Sequence, residues 1–481
     1  MAGVGVKLHK IFEKNTLTAD MAGFLYSVMI TIAPMFAVIL NLLLMQQVLG
    51  FSEVGYAARE LFSCTVLYTF IFALLTASPF NAVLSRYMSD MIYEEHYEDI
   101  LPCYHVGLVL NISLSCIVGV PFCMWEHFVG GISVFYVFTG FCGYISLVLV
   151  FYSMIYLSIC KDYQRISLYF LCGMVEAFLM ALFLHFVLRW GVTQSMLFAL
   201  MTGFFLTAVL EYALVKRYFV KNSNRYKPVL LYFRKYWQLV VTNFLYILGL
   251  YIHNFVFWTT DMRMTVAKSF VCNQPYDMAS CLAMFTNISA TVIFIARVEM
   301  HFHDKYKHYS EAVIGGRGAD IENTKRRMFR QLVSELMTLA RIQFIISVVI
   351  YLFCIVVLPQ NGFSGMTMLI YPSLAAGYFV LFLMYSSIIF LYYFNDLDGS
   401  TMTAVVFFAT TFAGSIIATK LAPIWYGIGV VMGAFAGWCT AYFRLRWVEK
   451  HMDAHIFCRG ELIPRGKGER PPGKVYQREK Q

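Results

Sequence analysis

Long apolar stretches separated by short polar turns fill nearly the whole chain. Twelve of them, near residues 21–45, 61–84, 101–123, 132–158, 164–188, 192–215, 236–259, 275–296, 342–359, 369–394, 401–419 and 422–443, lie near the ~20 residues that an α-helix needs to cross a bilayer. The pattern predicts an all-α polytopic membrane protein. Span count alone divides it into a six-span half (1–215), a linker (216–235), a second six-span half (236–443) with a long loop at 297–341, and a tail (444–481). From Arg459 the tail is rich in Pro, Gly and charge, and is expected to be partly disordered. The first apolar run exceeds a signal-peptide h-region and lacks a small-residue cleavage site, so it is expected to remain as an anchor.

Charge orients this array. Only Arg59, Arg189, Arg263, Lys268 and Lys420 of the 37 Lys and Arg fall on one side when the spans are threaded. The positive-inside rule then predicts a cytoplasmic N-terminus, C-terminus and 297–341 loop. Hydrophobic residues make up 59% of the chain and charged residues 14%, against ~25% charged in soluble domains. The net charge of +9 is read as inner loops facing anionic lipid, not as a nucleic-acid surface.

Connections on the less basic side are short, so any chemistry there has to occur inside the bundle. The linker 216–235 holds seven basic residues interleaved with aromatics. In the long loop, Gly315-Gly316-Arg317-Gly318 marks a break and Asp320 a helix cap. Beyond it Met328, Leu332, Val333, Leu336 and Ala340 recur at helical spacing against Lys325, Arg326, Arg330 and Glu335. This predicts an amphipathic helix on the inner leaflet or under the bundle.

Polar groups at membrane depth are the functional candidates, because a charge there costs ~2.5–3.5 kcal/mol or more. Glu176, in the middle of the fifth span, either lines a hydrophilic cavity or bonds to a neighbouring helix. His253 and Asn254, in the seventh span, are expected to meet the same cavity. Arg86, after the Ser78-Pro79-Phe80-Asn81 segment, points into a lumen or snorkels to headgroups, and Arg297 has the same ambiguity. Asn41 and Asn111 are expected to bond between helices, and Glu211 to pair with Lys216. Trp125, Trp190, Trp237, Trp258, Trp425 and Trp447 read as interface anchors. Gly429, Gly433 and Gly437 predict close helix contact.

Catalytic and metal signals are weak. Asp396-Leu397-Asp398 resembles a glycosyltransferase DxD pair but stands without a nucleotide-binding unit. His301, His303 and His308 are read as a solvated helix face. No CxxC, P-loop or cofactor fingerprint occurs, so neither a cofactor nor a metal is expected. A Cys123–Cys272 bridge is conceivable on the less basic side.

The stretch Cys272-Asn273-Gln274-Pro275-Tyr276-Asp277, continuing to Ala296-Arg297-Val298-Glu299, His303 and Tyr306, resembles the PelG-type exopolysaccharide transporters. Ser85-Arg86-Tyr87-Met88-Ser89-Asp90 and Phe257-Trp258 resemble them too. The resemblance spans roughly residues 10 to 455 and extends to the wider flippase superfamily that includes MATE drug transporters. It implies twelve helices in two six-helix bundles around a central cavity, a bacterial inner membrane, and export of Pel, an amino-sugar polysaccharide of the biofilm matrix. Implied partners are a cytosolic glycosyltransferase and other inner-membrane Pel proteins, among them a cyclic di-GMP sensor. With docking expected on the cytoplasmic surfaces, Lys325, Arg326, Arg327 and Arg330 are the candidate contacts. The alternatives are a MATE-like cation-coupled antiporter and an integral-membrane glycosyl- or acyltransferase.

Overall fold

The computed structural model describes residues 17–160, 162–290, 294, 302–361 and 365–459, with side chains left out for 17–32, 303–304, 361 and 453–459. Arg297 and His301 lie outside the described residues. Fourteen helices are described, in chain order. They are α1 (Leu17–Val48), α2 (Tyr56–Tyr93), α3 (Ile100–Phe128), α4 (Val134–Ile159), α5 (Tyr163–Leu182, extended by a π-turn at Phe183–Val187), α6 (Val192–Tyr218) and α7 (Lys227–Lys235). The rest are α8 (Trp237–Phe257), α9 (Gln274–Asn287), α10 (His303–Gly315), α11 (Gly318–Val357), α12 (Gly365–Tyr393), α13 (Leu397–Ala418) and α14 (Ile428–Arg459). Among the described residues, ten helices are long and apolar enough to cross a membrane. Helices α1 and α9 occupy the places of the first and eighth predicted spans.

Helix starts are fixed by side chains that satisfy orphan backbone amides. Ser133 accepts the Tyr136 N–H at α4, Asn273 the Tyr276 N–H at α9, and Asp396 the Gly399 N–H at α13. Pro275 stands in the first turn of α9, where its missing N–H costs nothing.

Packing repeats between the halves. In the first, α1 packs on α5, α5 on α6, α6 on α4, and α4 on both α2 and α3. In the second, α8 packs on α13, α13 on α14, α14 on α12, and α12 on both α9 and α11. Matching α1–α6 to α8, α9 and α11–α14 reproduces every one of these pairs, so each half is a six-helix bundle of the same design. Small residues let the closest helices meet. A Cβ on Gly173 would stand 2.5 Å from the Gly203 carbonyl oxygen, so α5 and α6 cross backbone to backbone there. Gly429 and Gly433 likewise meet Ser415 and Thr411, and Gly437 meets Met384 and Phe407, as the four-residue spacing predicts.

Two elements differ from expectation. The amphipathic stretch after Asp320 is not a separate interfacial helix: it runs unbroken into the ninth span as the 40-residue α11. Its Met328, Leu332 and Leu339 are buried with Phe390 of α12, Phe394 just beyond that helix and Val448 of α14, so this part of its apolar face is covered by protein. Val333, by contrast, is exposed. The connection after α8, read as plain loop, contains an antiparallel hairpin in which β1 (Met264–Val266) pairs with β2 (Phe270–Cys272). Ala267 and Lys268 at its tip both have positive φ, a turn chemistry normally signalled by Gly or Asn and therefore illegible here.

Candidate functional site: the seam between the bundles

The two bundles meet chiefly along α2 and α8, which run antiparallel. At the less basic end, Tyr68 stacks on Trp258 with centroids 5.1 Å apart, and Phe72 faces Phe255. Midway, Asn243 donates to the Ser78 carbonyl at 3.3 Å, one residue before Pro79 of α2. Toward the basic end the partner of α2 changes from α8 to the linker helix α7 and the residue that follows it: Phe80 meets Phe233, Tyr87 meets Tyr232, and the Arg86 guanidinium lies 4.5 Å over the Tyr236 ring. Tyr232 also donates to Asp90 at 3.2 Å.

This half of the seam combines aromatic faces with polar atoms that lack partners. Arg86 approaches Asp90 at 3.9 Å but its buried Nε has no acceptor, and Asn81 Oδ1 is buried without a donor. Buried polar atoms are nearly always bonded, so these two stand out along the seam as open to a further bonding partner, as Ser195 and Glu211 do elsewhere. The Arg86 side chain is part-buried, with its guanidinium over Tyr236 where the bundles meet.

The other candidates separate. Glu176 lies half-buried on α5, in a groove of about 600 Å³ lined by Leu171, Val175, Leu179 and Phe183. One of its oxygens has no partner. His253 and Asn254 do not share that groove, because they are buried inside the second bundle. His253 sits between the hydroxyls of Tyr276 (2.9 Å) and Tyr378 (3.4 Å). Asn254 donates to Asp277 at 2.7 Å, which also receives the Trp258 indole at 2.9 Å and the Asn273 N–H at 3.0 Å. Side chains on one helix face other helices of their own bundle first, and α8 turns this face toward α9 and α12. Trp258 is thus a buried donor and not an interface anchor.

Other readings are corrected in the same way. Glu211 does not pair with Lys216: it is fully buried with neither carboxyl oxygen bonded, while the Lys216 ammonium lies over the Tyr212 ring. Asn41 does bond across helices, to Met174, but Asn111 turns back to its own Gly107 carbonyl. Lys325 is buried and paired with Glu322 at 2.8 Å, whereas Arg326, Arg327 and Arg330 are exposed. Asp396 caps α13 and accepts two bonds from Arg444, at 2.6 and 2.9 Å, and Asp398 accepts from Gln238. Both carboxylates of the DxD pair are thereby engaged in holding the fold. No group of three His, Cys, Asp or Glu among the described residues is placed to hold a metal ion.

A cavity of about 230 Å³ inside the first bundle was not foreseen. It is walled by Tyr68, Phe122, Tyr136 and Phe141, with Glu126 at its edge and Phe270 of the hairpin against it. Cys123 lines it, and the Cys272 sulfur instead faces Cys64 at 3.3 Å. Glu126 was not singled out in the sequence, and the burial of Glu211 and Asp277 could not be read from it, because it depends on neighbours distant in sequence.

Solved structures share this architecture. An inward-facing multidrug resistance MATE family transporter of the MOP superfamily aligns with a TM-score of 0.57 at 12% identity, over 82% of this chain and 91% of its own. An outward-facing one gives 0.58 at 14%, over 88% and 96%. A MATE structure in the bent conformation gives 0.58 at 12%, over 94% and 98%. No curated protein matches. Residues 1–457 match the family model described as "PelG: Putative exopolysaccharide Exporter (EPS-E)", and the chain belongs to that family of polysaccharide exporters with a MATE-like fold.

Proposed function

We propose that the chain carries the Pel polysaccharide across the bacterial inner membrane from cytoplasm to exterior, along a route between the bundles that starts at the basic end of the α2–α8 seam. The observation that carries this reading is the combination there of aromatic faces (Phe80, Tyr232, Tyr236) with unpartnered Asn81 and Arg86. Sugars bind by stacking apolar ring faces on aromatics while their hydroxyls take up hydrogen-bonding atoms, which suits that mixture. The basic end is the cytoplasmic one on the positive-inside argument, with both termini on that side. Bundle-against-bundle rocking, as expected for repeat-built transporters, would open the route.

The test is export of matrix polymer by Asn81→Ala and Arg86→Ala variants at wild-type protein abundance. Loss of export supports the route. Normal export by both would overturn it.

Glu176 and Arg297 are retained as route or gate residues on their membrane-depth cost, and His253 and Asn254 as supports of the second bundle. A cytosolic glycosyltransferase is proposed to dock on the basic face through exposed Arg326, Arg327 and Arg330, beside companion Pel proteins that include the cyclic di-GMP sensor. The alternative, cation-coupled antiport of small molecules, is favoured by the shared fold and the buried carboxylates. Proteoliposomes offered drug cations or oligosaccharide separate the two. An acyl- or glycosyltransferase activity is disfavoured by the structural use of Asp396 and Asp398.

A further inference from the structure

We infer that Cys64 and Cys272 form a disulfide that fastens the hairpin to α2 across the less basic end of the seam. Their sulfurs are 3.3 Å apart, closer than a van der Waals contact, although the residues are 208 positions apart in sequence. Both are buried, Cys64 at 2% and Cys272 at 3% exposure, so the pair is a built feature of the seam. Their surroundings hold them there independently. The Tyr68 hydroxyl, one turn along α2 from Cys64, donates to the Val271 carbonyl at 2.7 Å and accepts from the Val271 N–H at 3.1 Å. Phe270 packs edge-on against Tyr68 and Phe122. Backbone and rings thus keep β2 seated on α2, and the bond requires the two sulfurs to close from 3.3 Å to ~2.05 Å.

The chemistry needs an oxidant. A protein disulfide of the thiol–disulfide oxidoreductase class accepts the two electrons and two protons that the thiols release, becoming a dithiol. A thiolate of one cysteine attacks the oxidant's disulfide, forming a mixed disulfide and freeing one oxidant thiolate; the second cysteine's thiolate then attacks the first cysteine's sulfur, forming the Cys64–Cys272 bond and releasing the oxidant's other thiolate. Because both sulfurs are sealed in the folded protein, exchange takes place before the hairpin seats on α2. Such oxidants work outside the cytoplasm, so the inference rests on the orientation reading above. Its consequence for transport is specific. With Tyr68 and Trp258 held by a covalent clamp, the α2–α8 seam opens only at its basic end, and polymer leaves by another gap between the bundles.

The experiment uses the full chain in native membranes. Membranes are acid-quenched and denatured in detergent with N-ethylmaleimide present, so that every free thiol is alkylated, and peptides are mapped by mass spectrometry with and without reductant. The expected result is a Cys64–Cys272 linked peptide that reductant splits, and Cys272 alkylation in a Cys64→Ser variant. Alkylation of both cysteines in wild-type protein, or linkage of Cys272 to Cys123, overturns the inference. A membrane-impermeant amine reagent at Lys268 on the hairpin tip reads orientation separately. Lys268 labelled from outside with both thiols free sinks the disulfide alone. Lys268 labelled only from inside sinks the orientation and the disulfide with it.

Discussion

The Arg444–Asp396 pair illustrates how single residues hold this fold. Asp396 is fully buried, and Arg444 meets it with two parallel bonds. Removing the guanidinium strands a carboxylate away from water. Arg444→Ala is therefore expected to lower stability by about 3–5 kcal/mol, read as a fall in the melting temperature of purified protein. Glu211 makes the opposite case. Its carboxyl has no partner among the described residues, so Glu211→Leu is expected to raise the melting temperature, by about 1–3 kcal/mol in stability. If that variant melts higher yet exports no polymer, the carboxyl is kept for transport. Glu176 sits at an intermediate level of burial, and Glu176→Gln is expected to cut export severalfold at unchanged abundance. Normal export in that variant would assign the residue to packing.

At the level of elements, the ten helices long and apolar enough to cross a membrane were legible because each holds an apolar run of membrane length, and the glycine stripe in α14 because close packing leaves a spacing. The hairpin was not, since three-residue strands carry no periodicity and Ala267 and Lys268 occupy turn positions usually given to Gly. Candidate site residues were legible only as depth: polarity in an apolar run flags Glu176 or His253, but which helix each one faces is set by crossings far away in sequence. That is why His253 and Glu176, both flagged for one cavity, stand in different bundles. The crossing of α5 and α6 is itself testable. Gly203→Ala brings a Cβ to 2.6 Å from the Gly173 carbonyl oxygen and is expected to cost about 1–3 kcal/mol, seen as reduced folded protein in membranes. The pseudo-repeat also extends to detail. The turn before α5 places Asp162 against Tyr218 of α6, as the turn before α13 places Asp396 against Arg444 of α14.

For the whole molecule, matched packing gives each half a core cluster of its own, and Val266, Phe270 and Cys272 of the hairpin, from the second half, complete the core of the first. Basic residues collect at one end of the seam and on α7, α10 and the first half of α11. Reversing the charge of Arg326, Arg327 and Arg330 together is expected to abolish co-purification of a glycosyltransferase while leaving the exporter folded. Undiminished co-purification would move the docking surface elsewhere.

Helix α11 carries one more consequence. At 1.5 Å per residue its 40 residues extend about 60 Å, roughly twice a bilayer's hydrocarbon thickness, so about 30 Å stands clear of the membrane. Since that extension packs on α12 and α14, it would turn with the second bundle as one rigid arm in the proposed rocking. A tilt of about 10° at the membrane sweeps its free end through roughly 5 Å by simple leverage on that ~30 Å arm. A polymerising enzyme seated there would be pulled and released with each excursion of the bundle, so synthesis and export would keep step through mechanics, with no messenger between them.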